Sequence, residues 1–138
     1  MADKLPGGYR PSQNEAFMNP KQREYFRRKL SAWREELLND SSETIRHLQE
    51  ETVPQPDLAD RASTETDRAI ELRTRDRERK LISKIDAALR RIEDGTYGYC
   101  EETGEPIGIK RLEARPIATL SLEAQERHER RERVYRDD

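Results

Sequence analysis

Between Pro20 and Pro54 the chain carries no glycine or proline, and between Pro56 and Gly95 it again carries none. Uninterrupted runs of that length are helical, because strands and loops are punctuated by these residues at short intervals. The first run opens on "MNPKQREYFRRKL". Asn19 is suited to cap a helix and Pro20 to its first position, where the missing N–H costs nothing. Phe26, Leu30, Trp33 and Leu37 follow at spacings of 4, 3 and 4, the seam of a two-helix coiled coil. The pattern continues through Ser41, Ile45, Leu48 and Thr52, with successive four-residue steps at Ser41 that relax the supercoil without ending the helix. The spacing predicts a helix over 19–51. In "TVPQPD", Pro54 and Pro56 break it, because a helix interior cannot supply proline's missing hydrogen bond.

A second helix is predicted over 57–94, about 55 Å long at a rise of 1.5 Å per residue. Its seam is expected at Leu58, Ala62, Ala69 or Ile70, then Leu81, Ile85, Leu89 and Ile92. Between these lies "RTRDRERK". Glu71 to Arg75 and Asp76 to Lys80 place the acid four residues before the base, the favoured order for exposed helix pairs. A solvated face is the favoured reading of this run over a binding surface. The two helices return on each other as a long antiparallel coiled-coil arm with a tip at 52–60.

The flanks differ in character. Residues 1–18 hold Pro6, Gly7, Gly8 and Pro11 and predict a flexible or surface-draped leader, with Tyr9 and Phe17 as anchors. In "DGTYGYCEETGEPIGIKRLEARP", Tyr97, Tyr99, Ile107 and Ile109 alternate as strand residues do, predicting a β-hairpin with its turn near Glu102–Gly104. "TLSLEAQERHERRERVYRDD" predicts a C-terminal helix capped by Thr119 or Ser121. The expected organisation is a leader at 1–18, an arm at 19–94 and a small knuckle with its terminal helix at 95–138. Composition agrees with this mainly α architecture. With 32% hydrophobic and 41% charged residues, the chain suits a thin rod with a small globular part.

Charge and cysteine content exclude several classes of function. Basic and acidic residues nearly cancel to a net charge of -2, so no global field recruits nucleic acid or lipid. In the last helix Arg127, Arg130, Arg131 and Arg133 are interleaved with Glu126, Glu129 and Glu132, unlike a DNA-reading surface. One cysteine allows no internal disulfide, and no signal peptide or membrane span is legible, so a soluble, cytoplasmic, monomeric protein is expected.

Two constellations carry candidate chemistry. Asp57 and Asp60 open the second helix, where a cap and a favourable dipole explain them structurally. They also stand at the far tip of the arm, where they present carboxylates to whatever the arm enters. The second constellation is the knuckle, where Cys100 begins a C-x2-C pattern of the kind that binds structural zinc. Thr103 holds the second position, and Ser121 and Ala124 hold the third and fourth. Hydroxyls and a methyl group cannot replace thiolates, and a set improvised from His128 with Glu101, Glu102 or Glu123 is a poor substitute. No zinc is therefore expected. The knuckle is expected to rest on Tyr97, Tyr99, Ile107, Ile109, Leu112, Ile117, Leu120 and Leu122, with a Thr103–Ser121 hydroxyl contact. Redox sensing by Cys100 is disfavoured, since Glu101 and Glu102 beside it raise the thiol pKa.

The strings "PDLADRA", "ELRTRDRERKLISKI" and "YGYC" followed by "GIKRLEARP" resemble the DksA/TraR family of bacterial transcription factors, its DksA branch above all, over about half the chain. The resemblance implies a non-enzymatic regulator that binds RNA polymerase rather than DNA. Its coiled-coil tip would enter the secondary channel and destabilise promoter complexes together with ppGpp, in the stringent response and the control of ribosomal promoters. It further implies that Asp57, Asp60, Arg61 and Ala62 form the tip near the polymerase active site, and that Leu81, Lys84 and Arg115 line an alarmone site. A further basic position of that site is Gln125 here, and the family's four-cysteine pattern is reduced to Cys100. A transcript-cleavage factor and a purely structural coiled-coil adaptor are the alternatives.

Overall fold

The computed structural model describes residues 5–50 and 58–137. Four helices follow in order: α1 (Pro20–Glu50), α2 (Leu58–Asp94), α3 (Ile109–Ala114) and α4 (Leu122–Asp137). Among the described residues there is no sheet. The chain divides into two compact units, residues 32–86 and residues 1–31 with 87–138.

The first turn of α1 is built as its sequence predicts, and then reinforced. Asn19 Oδ1 accepts the Gln22 N–H at 2.9 Å, which makes Asn19 the N-cap. Gln22 is fully buried. Its Oε1 accepts the Met18 N–H at 2.7 Å and its Nε2 donates to the Ser12 carbonyl at 3.2 Å. The side chain thus ties the preceding segment to the helix. Met18 takes a left-handed φ of 54° there, which costs a non-glycine residue energy and persists only where neighbours fix it. One turn of side-chain hydrogen bonding follows within α1: Glu24, 5% exposed, accepts from both Arg27 and Arg28.

In the unit of residues 32–86, the seam of α2 departs from expectation. Thr64, Arg68, Glu71, Arg75, Glu78, Ile82 and Ile85 are half-buried or buried, a 4-3 alternation that continues beyond this unit to Leu89 and Ile92. Ala62 is exposed and Ile70 is 53% exposed. The charged run therefore supplies seam residues as well as a solvated face; Arg73, Asp76, Arg77, Arg79 and Lys80 form the latter. The reason is geometric: helix period fixes which positions turn inward, whatever their polarity. Arg34 Nε donates to Asp86 Oδ1 at 2.7 Å, pairing α1 with α2.

The other unit holds a small core. Phe26, Leu30, Ala88, Leu112 and Ala124 are fully buried, with Ile92, Tyr97, Ile109, Ile117 and Ala118 close to it. The Phe26 and Tyr97 rings lie 5.7 Å apart, and the Tyr97 hydroxyl donates to the Pro116 carbonyl at 2.8 Å. The leader packs through its aromatics: Tyr9 meets Tyr25 edge-on at 6.2 Å and Phe17 meets Tyr99 at 5.5 Å. Gly98 is required beneath it. Its φ is +91°, and a Cβ there would stand 3.2 Å from atoms of both Met18 and Phe17.

The predicted hairpin is shorter than its alternation suggested. One antiparallel bridge joins Tyr99 to Pro106, closed by Ile107 N–H to the Gly98 carbonyl at 2.7 Å and Cys100 N–H to the Glu105 carbonyl at 2.8 Å. Ile109 belongs to α3 rather than to a strand. Pro106 supplies no N–H to a ladder, which limits the pairing. Tyr99 and Leu122, expected in the apolar cluster, are 37% and 59% exposed. Ser121, not Thr119, caps α4: its Oγ accepts the Ala124 N–H at 3.2 Å, and its carbonyl accepts the Gln125 N–H at 2.9 Å.

Candidate functional site

The tip acids fall at the edge of what is described. Asp57 lies outside the described residues. Asp60, Arg61 and Ala62 are the third to fifth residues of α2; the side chains of Asp60 and Arg61 lie outside the description, and Ala62 is exposed. Of the expected alarmone residues, Leu81 is half-buried and Lys84 exposed, one turn apart on α2, and Arg115 is exposed at the end of α3. Gln125 reaches along α4 to Glu129, its Nε2 donating at 3.4 Å.

The four knuckle positions do come together. Cys100 is 3% exposed, and the main-chain N–H groups of Ser121, Thr103 and Glu102 and the Thr103 hydroxyl lie around its sulfur. Burial pushes the thiol up, but these donors outweigh it and bring its pKa from 9.0 down to about 6. This reverses the expectation that Glu101 and Glu102 hold it high. Both acids are exposed, where solvent screens their charge, while the main chain around them turns its N–H groups inward. The expected Thr103–Ser121 contact does not form. The Thr103 hydroxyl also accepts the Glu105 N–H at 3.2 Å, and the Ser121 hydroxyl is committed to the α4 cap.

These residues do not fit a zinc ion. Cys100 offers one thiolate, Thr103 and Ser121 offer neutral hydroxyls already bonded within the chain, and Ala124, fully buried, has no donor atom. Among the described residues, no group of three or more His, Cys, Asp or Glu side chains is placed to hold a metal. His128 bonds Glu102, and Arg127 approaches the same carboxylate at 3.8 Å, so this cluster ties the hairpin turn to α4.

A second connection was not anticipated from sequence. Lys29 on α1 donates to the Glu113 carboxylate at 2.9 Å and to the Glu113 carbonyl at 3.0 Å, satisfying an orphan acceptor at the end of α3. The Tyr25 hydroxyl lies near the same carboxylate; burial and that neighbour push its pKa up to about 12. Burial also opposes ionisation of Glu113, yet Lys29 and Tyr25 hold it below the usual carboxylate range. No i to i+4 pattern links residues so distant in sequence, so only the fold reveals this pair.

Comparison with known proteins agrees with both parts of the chain. Residues 22–92 match the family model "DnaK suppressor protein DksA, N-terminal domain", and residues 95–130 match "Prokaryotic dksA/traR C4-type zinc finger". The chain is 75% identical to the RNA polymerase-binding transcription factor DksA of Caulobacter vibrioides, over 94% of this chain and 92% of the relative. It is 46% identical to the protein of the same name from Escherichia coli, over 91% and 83%. The solved structure of transcription factor DksA2 from Pseudomonas aeruginosa superposes with a TM-score of 0.81 at 47% identity, covering 88% of this chain and 94% of that one. The chain belongs to the DksA/TraR family.

Proposed function

We propose that the protein is a non-enzymatic transcription regulator that binds RNA polymerase directly. The observation that carries this reading is the similarity, at 75% and 46% identity over 94% and 91% of this chain, to proteins named for that binding. The paired helices of residues 32–86 form an arm whose tip, with Asp57, Asp60, Arg61 and Ala62, enters the secondary channel and approaches the active site. There it destabilises promoter complexes. ppGpp acts with it at a site to which Leu81, Lys84 and Arg115 contribute, and Gln125 leaves that site one phosphate-pairing cation short. Binding is to polymerase and not to DNA, in the cytoplasm, as a monomer. The knuckle works without zinc.

In vitro transcription from a ribosomal promoter tests this. Wild-type protein is expected to lower the lifetime of the promoter complex, and Asp60→Asn to lose most of that effect while still binding core polymerase. Equal effects of the two proteins sink the tip role. Shortening of the RNA in stalled complexes would identify a cleavage factor instead, since an arm carrying carboxylates can bring them to a polymerase-bound Mg²⁺. Failure to co-elute with polymerase would leave a structural adaptor.

A further inference from the structure

Within the unit of residues 1–31 and 87–138, α3 and the start of α4 bound an open groove of about 430 Å³. Buried Ile107 forms part of its floor, with Ala114 and Leu122 beside it. The charged lining residues are Lys110, Arg111 and Arg115, and among the described residues no acidic side chain lines the groove. In a chain whose net charge is only -2, this is a local excess of positive charge around an apolar surface. Arg111 Nε donates to the Leu120 carbonyl at 2.9 Å, which fixes that guanidinium in place. Lys110 and Arg115 are exposed. Leu122 is 59% exposed although it opens a helix, a position that polar residues fill at no cost in packing.

We infer that this groove docks an acidic segment of a partner protein, with a large apolar side chain against Ile107 and Leu122 and flanking carboxylates on Lys110 and Arg115. Charge complementarity selects the occupant. Carboxylates match both the ammonium and the guanidinium geometry, and an apolar residue between them uses the surface that a bare anion would leave wet. Single-stranded nucleic acid is a poorer fit, because its bases stack on aromatic side chains and none among the described residues lines the groove. This docking does not depend on the polymerase reading. Arg115 also figures in the alarmone reading, so the test uses Lys110 and Leu122.

Short random peptides displayed on phage and selected on the immobilised full-length chain are expected to enrich for acids flanking Leu, Phe or Trp. The enriched peptide, made synthetically, is expected to bind Lys110→Glu about tenfold more weakly. It is expected to lose a similar factor when its own acids are changed to amides, and several-fold against Leu122→Ala. Both substitutions are at exposed positions, and unchanged circular dichroism checks that the fold is kept. Enrichment of peptides without acids, or equal affinity for wild type and both variants, overturns the inference. So does a groove that selects no peptide but binds inorganic pyrophosphate in a Lys110-dependent way, which would make it a phosphate site.

Discussion

The buried Cys100 thiol sits among donors that bring its pKa down to about 6. That it lacks thiolate partners is plain from the letters at 103, 121 and 124. That it lies within reach of three main-chain N–H groups and a hydroxyl is not, because main-chain donors have no letter of their own and only the turn geometry aims them. Acids neighbouring in sequence suggested the opposite shift. The consequence for stability follows from the sign. The folded thiol ionises at about 6 and the ordinary value is 9.0, so the unfolded chain binds more protons between those values and stability rises with pH across that window. The contribution is complete above about pH 9 and is lost as pH falls through about 6. Thiolate ultraviolet absorbance of the folded protein is expected to titrate near 6, and thermal midpoints of wild type and Cys100→Ala to diverge as pH is raised from 6 to 9. A thiol that titrates at its ordinary value refutes the donor ring.

At the scale of elements, the ends of helices were more legible than their seams. Asn19, Pro20 and Ser121 are capping residues by chemistry, and two of the three make the predicted bond while proline occupies the first turn. Gln22 carried no such signal, since glutamine at a third helical position is read as half of a capping box; here it reaches Met18 and Ser12 instead. Gln22→Ala leaves the buried Met18 N–H without its partner and takes one of two donors from the Ser12 carbonyl, which keeps the Glu15 N–H; it is expected to destabilise the protein by about 1–3 kcal/mol in urea unfolding, with the slope unchanged. The seam of α2 was expected correctly at Ile85, Leu89 and Ile92 and misplaced before Leu81 for the converse reason: apolar residues were followed, but the inward register there passes through Arg68, Glu71, Arg75 and Glu78. Glu78 Oε2 is buried and has no hydrogen-bond partner, so its desolvation is not offset. Glu78→Leu is therefore expected to stabilise the protein by about 1 kcal/mol, read as a higher thermal midpoint. A lower midpoint would mean that the carboxylate has a partner whose loss outweighs that gain.

For the whole molecule, the question is whether a finger whose four donor positions do not fit zinc is self-sufficient. The matched C4-type finger covers residues 95–130, and in this chain each metal-ligand position has another use. Cys100 is buried among hydrogen-bond donors, Thr103 holds the hairpin turn, Ser121 caps α4 and Ala124 fills the core. The packing that closes over them draws on distant segments. Phe26 from α1 meets Tyr97, Phe17 from the leader meets Tyr99, and Lys29 holds the end of α3. Because the knuckle shares its core with α1 and the leader, its cohesion comes from tertiary burial, which chelation cannot remove. A zinc-organised finger behaves differently, since there the binding free energy is folding free energy. The thermal midpoint is accordingly expected to move by less than about 1 °C on adding excess EDTA, and elemental analysis to find well under one zinc per chain. The triple variant Thr103→Cys, Ser121→Cys, Ala124→Cys supplies the contrast. It restores four thiolates but removes the α4 cap and crowds the fully buried site at 124. Its folding is therefore expected to depend on zinc, with a midpoint that falls by several degrees when EDTA is added. A wild-type midpoint that drops on chelation and recovers with zinc would show that the donor set includes ligands beyond these four positions.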